Sequence, residues 1–285
     1  ANAVSLNIGA RRDLPDFSDR GDEVGQMGRA FAAMTGALFK RIEASEKFAA
    51  DVAHELKNPL AAARSTAESM AYAKTDEDRQ QLIGEIQSEL KRLNRLINDV
   101  SNASRLDAEL ARQQMQPVDV RAVLATVAEI FDDQLSEDER QLKVIIANAP
   151  ASSFVVRGND GRLCQVFTNM IDNALSFSPE GGVVTVRARP DGSKIEISVE
   201  DQGPGIPDDK LKTIFDRFYS DRPATDAKRG KNSGLGLSIS REIVASHGGE
   251  IYAENIAQRP GGKVQGARFV VRLPLEPLVG YVRRG

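Results

Sequence analysis

The chain has 285 residues, 41% hydrophobic and 28% charged, a balance that fits a globular protein with charge-rich helices. A net charge of −3 gives no general affinity for nucleic acid, and a single cysteine, Cys164, excludes an internal disulfide. No apolar stretch approaches the roughly 18 residues of a membrane span and no signal peptide is visible, so the chain as given reads as soluble, whether whole or part of a longer one.

Residues 1 to about 21 read as an irregular connector containing Gly9, Pro15 and Gly21. From Asp22 to about Tyr72 the pattern is helical. Phe31, Met34, Leu38 and Ile42 step by three and four, and Phe48, Val52, Leu56 and Leu60 resume the stripe. A polar link near Lys74-Thr75 leads to a second helix opened by Asp76-Glu77-Asp78, acids that suit its positive N-terminal end. Leu82, Ile86, Leu90, Leu93, Ile97 and Val100 form its apolar seam. Two helices with one seam cannot enclose a core, and pairing of two copies into an antiparallel four-helix bundle is the economical solution.

His54, one of two histidines, lies on the first helix in the run His54-Glu55-Leu56-Lys57-Asn58-Pro59. It sits about 200° of helical turn from both Val52 and Leu56, so its imidazole points away from the core its own helix builds. Glu55 follows directly, and Asn58 stands one turn beyond on the same side. Pro59 lacks an amide hydrogen and frees the carbonyl of Glu55, which predicts a bend or a loosened turn there. An exposed imidazole beside an acid and an amide is equipped to be a nucleophile; the plain alternative is a surface histidine on a bundle helix.

Pro117 marks a boundary, after which the periodicity mixes. Val120–Phe131 reads as a helix and Glu137-Asp138-Glu139 as a solvated loop. Lys143–Ile146 reads as a strand, and Leu163–Phe177 as an amphipathic helix with Cys164 as a small core residue. Val183–Arg189 and Ile195–Val199, around Pro190-Asp191-Gly192, read as a hairpin. Leu235–His247 returns to helix and ends at Gly248-Gly249, and Ile251-Tyr252 and Arg268–Arg272 close with strands. The fold class is therefore α+β.

Three elements of this second half suit a nucleotide. Asn169 and Asn173 are four apart on one helix, neutral oxygens of the kind that hold Mg²⁺ beside phosphates. Asp201-Gln202-Gly203-Pro204-Gly205 follows a strand, where a carboxylate can accept from an exocyclic amine such as adenine's and glycines admit a flat ligand. Gly234-Leu235-Gly236 opens a helix whose free amides suit phosphate oxygens, although it is neither a dinucleotide fingerprint nor a P-loop. Between the last two, Phe215-Asp216-Arg217-Phe218-Tyr219 and the polar stretch Ser220–Ser233 read as a mobile lid carrying Arg222, Lys228, Arg229 and Lys231.

In this order the motifs resemble those of bacterial two-component sensor histidine kinases. His54-Glu55-x-x-Asn58-Pro59 is similar to the H box, Asn169–Ala174 to the N box and Asp201-x-Gly203-x-Gly205 to the G1 box. Phe215-x-x-Phe218 is similar to the F box and Gly234-x-Gly236 to the G2 box, the whole covering roughly residues 45 to 275. Asp22-Glu23-Val24-Gly25 resembles the opening of the second helix of a HAMP relay module. The H-box wording also resembles alphaproteobacterial envelope or acid-sensing kinases of the ChvG type.

The resemblance implies a GHKL-type α/β-sandwich ATP-binding domain joined to a dimeric bundle. Its implied boundaries are a connector and HAMP remnant at 1–44, a dimerisation and phosphotransfer domain at 45–116, a catalytic domain at 117–278 and a tail at 279–285. By position it implies that His54 attacks the γ-phosphate of ATP, that Glu55 acts as general base and that Asn58 positions water for dephosphorylating a response regulator. It further implies Asn173 as the Mg²⁺ ligand with Asn169 beside it, and Asp201 as the adenine reader. Gly203, Gly205, Phe218, Gly234, Leu235 and Gly236 would shape pocket and lid. The implied partners are a second copy and a receiver domain, in a parent anchored in the inner membrane. Ser176 departs from the family, which often places a cation there; Mg²⁺, the lid cations or Arg162 would then neutralise phosphate. A hydrolytic ATPase or Ser/Thr kinase of the same nucleotide fold, and a scaffold keeping ATP only as a structural ligand, are the competing readings.

Overall fold

The computed structural model describes residues 21–110, 115–135, 140–219, 234–257 and 264–276, with only the backbone described at 105–110 and 133–134. The expected connector before residue 21, the acidic loop at 137–139, the polar stretch 220–233 with its four cations, and the 279–285 tail lie outside the described residues. The chain divides into two compact units, residues 1–55 and 56–285.

Helix α1 (Glu23–Ser69) starts where Asp22 Oδ1 accepts the Gly25 N–H at 3.1 Å, an N-cap that satisfies one of the helix's orphan donors. It continues through Pro59 and ends in a 3-10 turn at Met70–Tyr72. In the first unit its stripe is open: Val24, Met27, Phe31, Met34, Leu38, Phe39 and Ile42 are all exposed. His54 is exposed as its helical angle predicts, with Glu55 partly covered.

In the second unit, α2 (Asp76–Leu110) opens with a reciprocal capping box. The Asp78 N–H donates to Thr75 Oγ1 at 3.0 Å, and the Thr75 N–H to Asp78 Oδ2 at 3.2 Å. The seam predicted for these helices is only partly covered. Leu60 is 59% exposed, Leu90 51% and Ile97 50%, whereas Pro59 and Leu96 are buried. Periodicity located the apolar face correctly but not what covers it. Leu96 and Ala103 are the buried positions of α2, and α2 also contacts helix α5 (Gly236–Ser246) of the sheet domain.

The sheet domain begins with β1 (Gln116–Asp119), antiparallel to β3 (Val155–Gly158), a small ribbon that the sequence reading lacked. Asp119 holds Arg121 through two bonds, at 3.0 and 2.6 Å, at the start of α3 (Val120–Leu135). The main sheet contains β2 (Gln141–Ile146), β4 (Val183–Asp191), β5 (Lys194–Glu200), β6 (Glu250–Ala257) and β7 (Val264–Pro274) in the order β2-β4-β5-β7-β6. Only β2 and β4 run parallel, with α4 (Asp160–Phe177) between them in sequence. Strands β6 and β7 are longer than the cores read from sequence, because polar outward residues blur their alternation.

Helices α3, α4 and α5 meet one side of the sheet. The core lies there, built from Val186, Ile197, Phe269 and Val271 against Phe131, Phe167, Met170 and Ile243. Burying each such side chain is worth roughly 1.5–3 kcal/mol. The other side alternates charge across strands. Arg189, Glu196, Arg272 and Glu250 form one row, and Glu200, Arg268 and Glu254 another. Arg189 donates to Glu196 at 2.7 Å, Arg272 to Glu196 at 2.8 Å and Arg268 to Glu200 at 2.9 Å. Burial pushes the Glu196 carboxyl up, but the Arg272 and Arg189 bonds outweigh it and hold the group below the usual carboxylate range.

His247 joins two of the helices that flank the core, α4 and α5. Its Nε2 accepts the Asn159 N–H at 3.1 Å, so its proton sits on Nδ1, which donates to the Ile243 carbonyl at 2.7 Å. Asn159 in turn caps α4, its Oδ1 accepting the Arg162 N–H at 2.9 Å. Burial lowers the imidazole's pKa from its ordinary 6.5, with the Ile243 bond pulling weakly back. The unfolded chain then takes up this proton first as pH falls. The stability from the neutral ring is complete above about pH 6.5 and is lost below it, with a slope of at most about 1.4 kcal/mol per pH unit. Urea unfolding between pH 7.5 and 5.5 should show this loss, and His247→Gln should flatten it; equal slopes in the two proteins would refute the assignment.

Candidate functional site

Helix α4 sets the site. Leu163, Val166, Phe167, Met170, Ile171, Ala174 and Leu175 are buried, which leaves Asn169 and Asn173 on its other flank. Asn169 Nδ2 donates to the Gly236 carbonyl at 3.0 Å, tying the N-terminus of α5 to α4. Ser240 Oγ donates to the same carbonyl at 2.9 Å. The Asn173 side chain is half-buried and makes no hydrogen bond among the described residues, so its amide oxygen is available. Ser176 Oγ donates to the Asn173 carbonyl at 2.7 Å, and Arg162 donates to Gln165 at 2.9 Å. Between the asparagines, Asp172 faces Arg95 of α2. Crowding by protein atoms pushes its carboxyl up to about 6 against the pull of Arg95, although the residue keeps enough exposed surface for solvent to screen the effect.

Asp201 lies at the end of β5 and is 5% exposed. Its Oδ1 accepts the Gly203 N–H at 2.8 Å and the Ala267 N–H at 3.0 Å. Its own N–H donates to the Ala267 carbonyl at 2.9 Å. Burial raises the carboxyl's pKa, and the Ala267 and Gly203 donors pull it back. One oxygen is thus fixed by backbone, while Oδ2 has no partner among the described residues. Such a carboxylate can take a single amine donor in a set direction. Gly205 turns the following arch at φ +82, which L side chains rarely adopt.

The polar stretch has a fixed base. The Phe218 N–H donates to the Gly234 carbonyl at 3.0 Å, and both residues have positive φ, 61 and 72. Phe215 anchors the entry edge-on against Phe269, with ring centroids 6.5 Å apart. Leu235 is fully buried, and its carbonyl accepts the Ile239 N–H as α5 begins. Asn169, Asn173, Asp201, Gly203, Gly205, Phe218, Gly234, Leu235 and Gly236 all belong to the second unit, whereas His54 and Glu55 belong to the first. Asn58 is exposed on α1. The sequence reading missed Ala267, which holds Asp201, and Gly266 beside it. A glycine within a strand pattern was the available signal of a close backbone approach.

No group of three or more His, Cys, Asp or Glu side chains suited to a metal occurs among the described residues. The donors fit Mg²⁺ in its nucleotide-bound mode, in which phosphates and water supply most ligands and one or two protein oxygens suffice.

An α/β sandwich with a backbone-anchored carboxylate facing a glycine arch defines a nucleotide-binding ATPase domain. Residues 158–277 match the histidine kinase-, DNA gyrase B- and HSP90-like ATPase family, and residues 44–109 match the His Kinase A phospho-acceptor domain. The chain belongs to the sensor histidine kinases and carries both of their signature domains.

It is 46% identical over 281 residues to Sensor protein ChvG of Agrobacterium fabrum, covering 96% of this chain and 47% of that one. It is 31% identical over 275 residues to the signal transduction histidine-protein kinase/phosphatase MprB of Mycobacterium sp. strain KMS, covering 94% and 50%. The chain therefore spans about half the length of these curated relatives. The fold also matches the histidine kinase ThkA, solved in complex with response regulator protein TrrA, at TM-score 0.66 and 23% identity, covering 85% of this chain and 65% of that one.

A Cβ at Gly266 would lie 1.9 Å from the Asp201 carbonyl oxygen. Gly266→Ala should push Asp201 off its Ala267 anchor and weaken Mg-ADP binding at least about tenfold, the worth of one charged hydrogen bond. Calorimetric titration checks this; unchanged affinity would mean that the strand end does not set the site.

Proposed function

We propose that this chain phosphorylates His54 from Mg-ATP and passes the phosphoryl group to an aspartate of a response regulator, with phosphatase activity toward the same regulator. The observation that carries the reading is the half-anchored Asp201 carboxylate, in a chain that also holds an exposed H-box imidazole. Asp201 Oδ2 accepts the adenine amine, and the Gly203–Gly205 arch lies along the base. Asn173, with Asn169 beside it, holds Mg²⁺. When bound, that ion spreads the negative charge that develops on the transferring group. The free amides at the start of α5 face the phosphates.

At α1, a nitrogen of His54 attacks the γ-phosphorus while the bond to the ADP oxygen breaks. Glu55 takes or orients the proton on the other ring nitrogen, which keeps the attacking lone pair available. An asparagine, not a glutamate, stands at position 169, and an amide there cannot act as a base to activate water. This favours transfer to histidine over hydrolysis and disfavours the simple ATPase reading. Ser176 supplies no cation, so phosphate neutralisation falls to Mg²⁺ and basic side chains elsewhere.

The phosphotransfer domain takes residues 45–116, the catalytic domain 117–278, and residues 1–44 hold a connector with a HAMP remnant. The open apolar stripes of α1 and α2 support a homodimer in which a second copy covers them. The parent is anchored in a membrane with these domains on the cytoplasmic side, a reading supported by sensor relatives of about twice the length. The complex formed by ThkA supports a receiver domain as partner.

Incubation with Mg-ATP should place acid-labile, alkali-stable phosphate on His54, and phosphate persisting on a His54→Gln protein would refute the assignment. Asn58→Ala should retain autophosphorylation and lose regulator dephosphorylation. Equal dephosphorylation by the variant would remove Asn58 from that role.

A further inference from the structure

The arch that follows Asp201 is gripped at its far end by a residue outside every motif, Asn255 on β6. Its Oδ1 accepts the Ile206 N–H at 2.8 Å, and its Nδ2 donates to the Ile206 carbonyl at 2.7 Å. The same Nδ2 stands 3.3 Å from Asp208 Oδ1. One side-chain amide thus pairs both backbone polar groups of a single residue, as a neighbouring strand would, where β5 has already ended. Such bonds cost free energy when left unmade in a partly buried loop.

The sheet connects this grip to the carboxylate. Asn255 faces Ala267 across β6 and β7, and the Ala267 N–H is one of the two donors to Asp201 Oδ1. The register then slips between Ile256 and Ala257, a local irregularity of the sort that re-aims a strand end beside a site. The arch from Asp201 to Ile206 therefore stands on two feet, Ala267 under one end and Asn255 under the other. Between them, a Cβ at Gly205 would lie 2.8 Å from Asn255 Oδ1 and closer still to Val264 Cγ1, so the arch packs against that amide and the start of β7.

We infer that Asn255 is a positioning residue for nucleotide recognition: its amide fixes the height and tilt of the Gly203–Ile206 arch against Asp201. It does not touch the base. Its effect is exerted on the purine through the arch, and the inference rests on Asp201 reading the adenine amine. Guanine presents a carbonyl where adenine presents that amine, and a carboxylate repels it. A loosened arch should therefore bind ATP less well and distinguish it less sharply from GTP.

The test uses the whole chain, with Mg-ADP calorimetry, ATP and GTP kinetics and thermal melting on Asn255→Ala, Asn255→Asp and Asp201→Asn. Asn255→Ala should raise the Kd for Mg-ADP about tenfold, the worth of one or two hydrogen bonds. It should raise KM for ATP with kcat retained at saturation, and narrow the preference for ATP over GTP. Asn255→Asp keeps the acceptor for the Ile206 N–H but sets a carboxylate against the Ile206 carbonyl and Asp208, so it should lose more. A purely structural role would lower the melting temperature and leave the Kd of the folded protein unchanged. That result, with Asp201→Asn losing nucleotide, overturns the role of Asn255 alone. Unchanged affinity in both Asn255→Ala and Asp201→Asn overturns the adenine reading and this inference with it.

Discussion

The seating of α4 is the constraint from which the nucleotide site hangs. Its seven buried apolar side chains fix the helix's rotation about its own axis. At roughly 1.5–3 kcal/mol for each of the six larger than alanine, they far exceed the cost of orienting two amides. Once that rotation is set, Asn169 must meet the Gly236 carbonyl and Asn173 must stay open. The hydrogen bonds of the site then select among arrangements that the core has already limited. His247 extends the constraint to the helix ends, because the residue that caps α4 also donates to a ring carried at the end of α5.

Backbone, more than side chains, does the holding around this site. Asp201 is fixed by the amides of Gly203 and Ala267, Phe218 by the carbonyl of Gly234, and the arch by an asparagine that imitates a strand. Peptide groups have few ways to reorient once their strands are paired. The carboxylate therefore keeps its direction without rigid neighbours of its own, which suits the adenine-reading role proposed for it.

Much of this was legible in the sequence wherever a period or a spacing carries the information. The helical stripe from Leu163 to Phe177, the hairpin from Val183 to Val199 and the acidic start of α2 follow from 3.6-residue, two-residue and helix-dipole rules acting over short distances. Strands β1 and β3 were not legible, since four residues are too few to display alternation and their pairing depends on chain closure. Leu60 and Leu90 show a different limit: a stripe declares which face is apolar but not what lies against it. The roles of Ala267 and Asn255 were hidden for a third reason. They depend on the β6–β7 register and its slip, which are set by pairing across the sheet and leave no local mark.

The outer face of the sheet has a consequence for how ligand arrives. Five cations (Arg187, Arg189, Lys194, Arg268, Arg272) are interleaved there with five carboxylates (Asp191, Glu196, Glu200, Glu250, Glu254), each within 4 Å of an opposite charge. Their monopoles cancel, leaving a checkerboard whose field dies away faster than that of a single charge and is screened further within about 8–10 Å of salt solution. One further cation, exposed Lys143 on the edge strand β2, stands on the same face, so a polyanion diffusing past that side meets only a weak net field. The proposed capture of the nucleotide then falls to the helix-covered side, where Asp201 keeps one carboxylate oxygen open.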